Sequence, residues 1–241
     1  GKRRQKLSHL KSIAEDERGV LTNARCLSEG IDVPSLDGVA FIDPKNSQVD
    51  IIQAVGRAIR LSDQKKFGTI ILPVFIEPGD NPEASIEASN FKPIWGVLNA
   101  LKAHDDVLAA ELDQVRTDLG RNPGTVIGST KIPKIYFDLP ITVDAKFGSA
   151  LRTHLIERVT SFWNFCFGLL EAYASGKEDW LILRSYKTQD GVCLGQWVAK
   201  QRTNKDTLSP ENRARLEALP GWSWTPYPDR WEKGFSYLEV Y

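Results

Sequence analysis

The first nineteen residues, "GKRRQKLSHLKSIAEDERG", carry few apolar positions and read as a basic, then acidic helix ending near Gly19. Three short apolar runs follow. "VLTNA" (20–24) predicts a strand, and "GVAFIDP" (38–44) a second one, stopped by Pro44. "GTIILPVF" (68–75) predicts a third, its unbroken apolar run suiting a strand buried on both faces. Between the last two, "QVDIIQAVGRAIR" has the periodicity of a helix. Helix, strand, strand, helix, strand predicts an α/β arrangement with a parallel sheet. Three strands make an incomplete sheet, so the sequence is expected to begin inside a domain.

The pattern changes after residue 76. "EPGDNPEASIEASNFKP" is a polar loop with three prolines, a natural boundary. "IWGVLNALKAHDDVLAAELDQVRTDL" has apolar residues at helical spacing and suits one long helix or two short ones. "RNPGTVIGSTKIP" reads as another linker and "KIYFDLPITV" as extended chain. "AKFGSALRTHLIERVTSFWNFCFGLLEAYASG" is strongly helical up to Gly176. A turn-rich stretch then leads to helices at "LGQWVAKQRT" and "SPENRARLEAL". In the second, Ser209 suits the N-cap and Pro210 the first helical position, with a Gly-Trp pair closing it.

Aromatic spacing adds an internal repeat. Trp163, Phe167, Leu170 and Tyr173 follow W-x3-F-x2-L-x2-Y, and Trp231, Phe235, Leu238 and Tyr241 follow it again. "GLLEAY" falls in register with "SYLEVY". The second copy stops at its first helix, so the natural protein is expected to continue.

Composition narrows the classes. The 241 residues are 41% hydrophobic and 26% charged, ordinary for a globular protein with one or two domains. Lys+Arg and Asp+Glu are both 31, so a nucleic-acid partner must be held by local patches rather than a global positive field. No apolar run is long enough to span a bilayer, and no signal-peptide pattern opens the chain. Cys26, Cys166 and Cys193 are too few and scattered for a disulfide framework or a zinc site, which favours reduced thiols and a cytoplasmic location. His9, His104 and His154 have no partner at metal-ligand spacing, so no metal site is expected.

Two segments carry chemistry together: "NARCLSEGIDVPSLDGVAFID" and "QAVGRAIR". Arg57 and Arg60 stand three residues apart, on one helical face, behind Gly56. A forked, permanently charged guanidinium is well matched to a transferring phosphoryl group. Gly56 keeps the helix slim, and Gln53, one turn earlier, suits a phosphate oxygen or an attacking water. The competing reading pairs the arginines with Asp50, Asp63 or Glu29 at the surface, where such pairs stabilise little.

These two segments resemble motifs V and VI of the superfamily 2 helicases, "GIDVP" followed by "QxxGRxxR". The resemblance implies a partial RecA-like domain with a parallel sheet, and ATP with Mg2+ as ligands. It places Arg57 and Arg60 at arginine-finger positions, with Gln53 as the third catalytic position. Gly30, Asp32 and Gly56 would lie on the nucleotide side, Asp32 at the ribose hydroxyl. Asn23, Arg25 and Ser28 would line the nucleic-acid track, although Arg25 reads equally as a surface cation. No Thr-Asp opens the first motif as in DEAD-box proteins. The form is closer to the restriction-enzyme and excision-repair branch, which favours DNA over RNA.

No G-x-x-x-x-G-K-[ST] occurs, nor an Asp-Glu pair after an apolar strand. The phosphate loop and magnesium carboxylates are therefore expected on an N-terminal RecA-like domain acting as partner, and this chain alone is expected to be inactive as an ATPase. "DGVCLGQWVAKQR" and "LSPENRARLEALPGWSW", after an aromatic first helix, resemble the bacterial helicase-associated domain. Its expected core is Trp163, Phe167, Leu194, Trp197, Leu216, Leu219 and Trp222, with the tryptophans packing rather than stacking on bases. Lys200, Gln201, Arg202 and Lys205 are its candidate nucleic-acid contacts, or else a solvated helix end.

The expected organisation is residues 1–78 as the partial second RecA-like domain and 79–159 as an all-α helical connector. Residues 160–228 form a three-helix helicase-associated domain, and 229–241 start another. The function expected is the C-terminal part of an ATP-dependent DNA or RNA helicase or translocase. The alternative is a non-enzymatic nucleic-acid- or protein-binding accessory.

Overall fold

The structure is a computed structural model. It describes residues 2–14, 17–22, 36–42, 51–53, 55–56, 68–74, 86, 91–124, 132, 134–139, 145–177 and 180–239. The chain divides into two compact units, one of Gly1–Ala110 with Pro133–Val159 and one of Glu111–Ile132 with Thr160–Tyr241.

In the first unit, helix α1 spans Lys2–Lys11. It stops well short of the expected end near Gly19. The Ser12 N–H bonds back to the carbonyls of Ser8 and His9, and the Ser12 hydroxyl donates to the His9 carbonyl at 3.1 Å. Such local bonds compete with continued helix. Strands β1 (Gly38–Ala40) and β2 (Thr69–Ile71) pair in parallel, with Val39 opposite Ile70. The expected strand at 20–24 does not form over its described residues. Val20 and Thr22 are exposed and pair with no strand among the described residues, and residues 23 and 24 lie outside that set.

A parallel pair requires a crossover, and residues 51–53 and 55–56 of that crossover are helical. Ile51 and Val55, one turn apart, are buried in a cluster with Val97 and Ala100, flanked by Phe41, Ile70 and Leu72 from the strand regions. The candidate motif helix is therefore seated by its apolar stripe.

The segment after the proline-rich loop forms two helices rather than one: α2 (Lys92–Lys102) and α3 (Asp106–Arg121). The Leu108 N–H donates to the Asp105 carboxylate at 2.9 Å, an N-terminal cap that starts α3 afresh. Helix α4 (Ala145–Val159) packs on α2, and the Lys102 ammonium donates to the Val159 carbonyl at 2.9 Å. Residues 134–139 join no sheet. Phe137 and Leu139 instead pack against a cluster of Ile86, Phe91, Phe147 and Leu151.

The second unit holds the last part of α3, then α5 (Phe162–Ala174), α6 (Leu194–Thr203), a 3-10 turn at Lys205–Thr207, α7 (Pro210–Glu217) and α8 (Pro226–Glu239). The helical run expected from 145 to 176 breaks at Thr160–Ser161, where Ser161 takes an extended conformation and its hydroxyl accepts from the Trp163 N–H at 3.0 Å. Ser209 caps α7 as expected, accepting from the Asn212 N–H at 3.2 Å.

The core of this unit is Phe167, Leu169, Leu170, Trp180, Ile182, Leu194, Val198 and Leu216. Trp163, Trp197, Leu219 and Trp222 pack on it half-buried, so the core read from aromatic spacing is present, extended by Trp180 and Ile182. Glycines set one close approach. A Cβ on Gly168 would meet the Thr117 carbonyl oxygen, and one on Gly120 the Phe165 carbonyl, so α3 and α5 touch backbone to backbone.

Gly168→Ala is expected to destabilise the chain by about 1–3 kcal/mol or more through overpacking. Gly96→Ala, with nothing within 4 Å of its added Cβ, should stabilise by about 0.5–1 kcal/mol. Urea denaturation followed by circular dichroism reads both, and an unchanged midpoint for Gly168→Ala would refute the close helix contact.

Candidate functional site

The motif helix presents two faces. Ile51 and Val55 are buried, while Gln53 and Gly56 are exposed, and among the described residues no atom lies within 4 Å of a Cβ built on Gly56. Gln53 is thus a polar side chain on the solvent side of a helix anchored from behind. Arg57 and Arg60, Gly30 and Asp32, and Asn23, Arg25 and Ser28 all lie outside the described residues. Among the described residues, no three His, Cys, Asp or Glu side chains converge on a metal-sized site.

The second set of candidates sits on and just after α6. Lys200 is exposed. Arg202 is half-buried: its Nε donates to the Ser223 carbonyl at 2.9 Å, and the guanidinium lies 5.0 Å from the Trp222 ring centroid. Burial lowers its pKa, opposed by Tyr227. The Lys205 ammonium sits 5.2 Å from the centroid of Trp224. The Trp224 indole N–H donates to Glu217 at 3.0 Å, and Arg213 donates to the same carboxylate oxygen at 3.0 Å. These two bonds, Arg213's first, hold the Glu217 carboxyl below its usual range. The cluster offers cations over aromatic faces, stabilised by the ring quadrupoles.

Gln201 departs from the expectation that it reads a base edge. It is buried, its carbonyl oxygen accepts from the Trp163 indole N–H at 3.0 Å, and its amide donates to the Trp197 carbonyl at 3.3 Å. A helix period explains the error. Gln201 stands seven residues after Leu194, on the core stripe rather than the solvent face. The side chain is committed to fixing Trp163.

Sequence reading missed Arg215. Its guanidinium lies 4.2 Å from the Phe167 centroid and 5.0 Å from that of Trp163. It donates to Asn164 at 2.8 Å and to the Thr117 hydroxyl at 3.2 Å. Burial lowers its pKa. The available signal was its place one residue before the buried Leu216 on a short helix whose other charges face solvent.

Comparison with known proteins adds to this geometry. Residues 1–62 match the helicase conserved C-terminal domain, and residues 160–225 match the helicase associated domain. Probable helicases of African swine fever virus, from a Malawi tick isolate and the Badajoz strain, are each 27% identical over 92% of this chain and 26% of their own length. The chain therefore spans about a quarter of those curated relatives. Among solved structures, an ATP-dependent Type ISP restriction-modification enzyme, LlaBIII, bound to DNA, matches with a TM-score of 0.51 and 26% identity. That match covers 88% of this chain and 13% of the enzyme.

Cys166, fully buried, gives a pH prediction. Burial pushes its thiol from an ordinary 9.0 up to about 12, against a smaller opposing pull from Arg116. The unfolded chain loses this proton first, so stability falls as pH rises from about 9 toward 12. Cys166→Ala should flatten that fall relative to the unaltered chain in urea titrations at pH 8 to 11, and equal slopes would refute the burial of the thiol.

Proposed function

We propose that this chain, a superfamily 2 helicase sequence with the conserved C-terminal domain and a helicase-associated domain, supplies one side of an ATP-hydrolysing site and a DNA-binding helical module. What supports the first part is the two-faced motif helix. Ile51 and Val55 fix it to the sheet, and Gln53 looks outward. Arg57 and Arg60 follow Gln53 by four and seven residues, a sequence spacing that would bring them to its side if the helical period continued. Two guanidiniums there would neutralise charge developing on transferred phosphoryl oxygens, and Gln53 would orient the attacking water. Gly56, with no described atom within 4 Å of an added Cβ, permits a close neighbour. ATP is the substrate, bound with Mg2+ mainly by a partner RecA-like domain that carries the phosphate loop. Gly30 and Asp32 would contribute on the nucleotide side.

The DNA-binding reading rests on the cation–aromatic cluster of the second unit. Lys200 and Lys205 are the phosphate contacts, with Arg202 placed by Ser223 and Trp222 so as to stiffen that edge. Asn23, Arg25 and Ser28 would track the strand in the first unit. DNA is favoured because LlaBIII, the DNA-bound enzyme, resembles both units of this chain.

The decisive measurement is ATPase activity of the full-length protein with and without single-stranded DNA, duplex DNA and RNA. DNA should stimulate turnover. Arg57→Ala and Arg60→Ala should each lower it by roughly a thousandfold or more while the protein stays folded. Turnover retained in both variants removes the arginine-finger assignment. For the module, Lys200→Ala with Lys205→Ala should reduce the slope of log affinity against log salt by about 0.7–0.9 for each phosphate no longer neutralised. An unchanged slope removes those lysines from the interface.

A further inference from the structure

Between α5 and α6 the chain turns at Leu183–Lys187, and this turn is fixed from several sides. The Tyr186 N–H donates to the Leu183 carbonyl at 2.9 Å, and the Gly195 N–H on α6 donates to the Tyr186 carbonyl at 3.0 Å. A Cβ on Gly195 would meet the Leu183 carbonyl oxygen, so α6 begins in backbone contact with the turn. Further on, the Thr188 N–H donates to the Val192 carbonyl at 3.0 Å, and the Thr188 hydroxyl accepts from the Val192 N–H at 3.1 Å. A turn held this way has little freedom left to lose on meeting a ligand.

Its display is not that of an ordinary solvated turn. Leu183 is 61% exposed and Tyr186 38%, while Trp180 and Ile182 just before them are buried. Arg184 and Lys187 are exposed, and among the described residues neither makes an ion pair. From Trp180 to Cys193 the only other charge is Asp190. The Tyr186 ring leans on Tyr173, with centroids 4.9 Å apart and planes inclined by 59°. Tyr173 is held in turn: its hydroxyl donates to the Leu181 carbonyl at 3.2 Å, and the Lys177 ammonium lies 3.9 Å from its ring centroid.

A propped aromatic ring with a cation before and after it in sequence suits one unstacked nucleobase and the phosphates on either side of it. A duplex hides its base faces in its own stack, so only a single strand can use the ring. An acidic peptide would satisfy Arg184 and Lys187 but would leave Tyr186 without a planar partner. We propose that the Leu183–Lys187 turn is a contact for single-stranded DNA, with Tyr186 stacking on a base, Leu183 packing at its edge, and Arg184 and Lys187 on the flanking phosphates. The site deepens the DNA-binding reading of the module and rests on it for the class of partner. It differs from the Lys200 and Lys205 contacts in telling single strands from duplexes.

Fluorescence anisotropy of the full chain with labelled oligothymidylate, and with a duplex of equal length, tests the site. Tyr186→Ala should weaken single-strand binding about five- to a hundredfold and leave duplex binding unchanged, whereas Tyr186→Phe should retain both. Arg184→Ala with Lys187→Ala should lower the salt slope on single strands by about 0.7 for each phosphate released. Because Tyr186 also packs on Tyr173, crosslinking gives a reading without substitution: a single strand carrying 5-iodouracil should link to Tyr186 under ultraviolet light. Crosslinks found elsewhere but not at Tyr186 overturn the proposal. Unchanged single-strand affinity in Tyr186→Ala, or polyglutamate displacing the labelled strand as well as unlabelled oligothymidylate does, overturns it too. If the Lys200→Ala with Lys205→Ala variant still loses affinity in that case, the module's DNA-binding reading stands without this site. Failure of the unaltered chain to bind either form of DNA overturns both.

Discussion

The Arg215 guanidinium is the point on which the helical module turns. A charge removed from water is costly unless fully engaged. Here the engagement is complete on several sides: two ring faces beneath, the Asn164 amide oxygen at 2.8 Å, and the Thr117 hydroxyl at 3.2 Å. Each partner belongs to a different place in the sequence, Thr117 on α3, Asn164 on α5 and Arg215 itself on α7. Apolar burial is indifferent to direction, whereas these bonds allow one rotation of each helix. Gln201 does the same for α6 by holding the Trp163 indole. Hydrophobic side chains gather this unit, and the half-buried Arg215 with the buried Gln201 decides its arrangement.

The first unit obeys a different constraint. Its parallel strand pair can exist only if the chain between them returns over one face, and the returning helix must carry an apolar stripe there. Ile51 and Val55 meet that demand. The opposite face is then relieved of any packing duty, and Gln53 and Gly56 occupy it. A polar residue and a glycine on a helix otherwise bound to a core make sense when the face serves an incoming ligand or domain.

Legibility followed the kind of signal. Helices α6 and α7 were readable because periodicity, a Ser-Pro start and a Gly stop agreed, and the aromatic core was readable from spacing. The ends that failed did so for local reasons. Ser12 folded its own bonds back onto α1, and Ser161 divided a run that looks continuously helical. Val20–Thr22 has strand propensity but no strand beside it among the described residues, and strand propensity is only realised in a sheet. At the candidate site, Lys200 kept its exposed place. Gln201 exchanged a base-reading role for a structural one, since an amide looks identical in sequence on either face. Arg215 was hard to read because a charged residue's identity does not announce half-burial, and only its place beside Leu216 hints at it.

The close backbone approach of α3 and α5, with Gly120 facing Phe165 and Gly168 facing Thr117, depends on the absence of side chains at both positions. Where α5 has Gly168, the repeat places Ser236 on α8. A side chain at that point holds off any helix that would cross as closely as α3 does. Helix α5 is therefore welded to α3, whereas the serine on α8 keeps that helix from being crossed as closely.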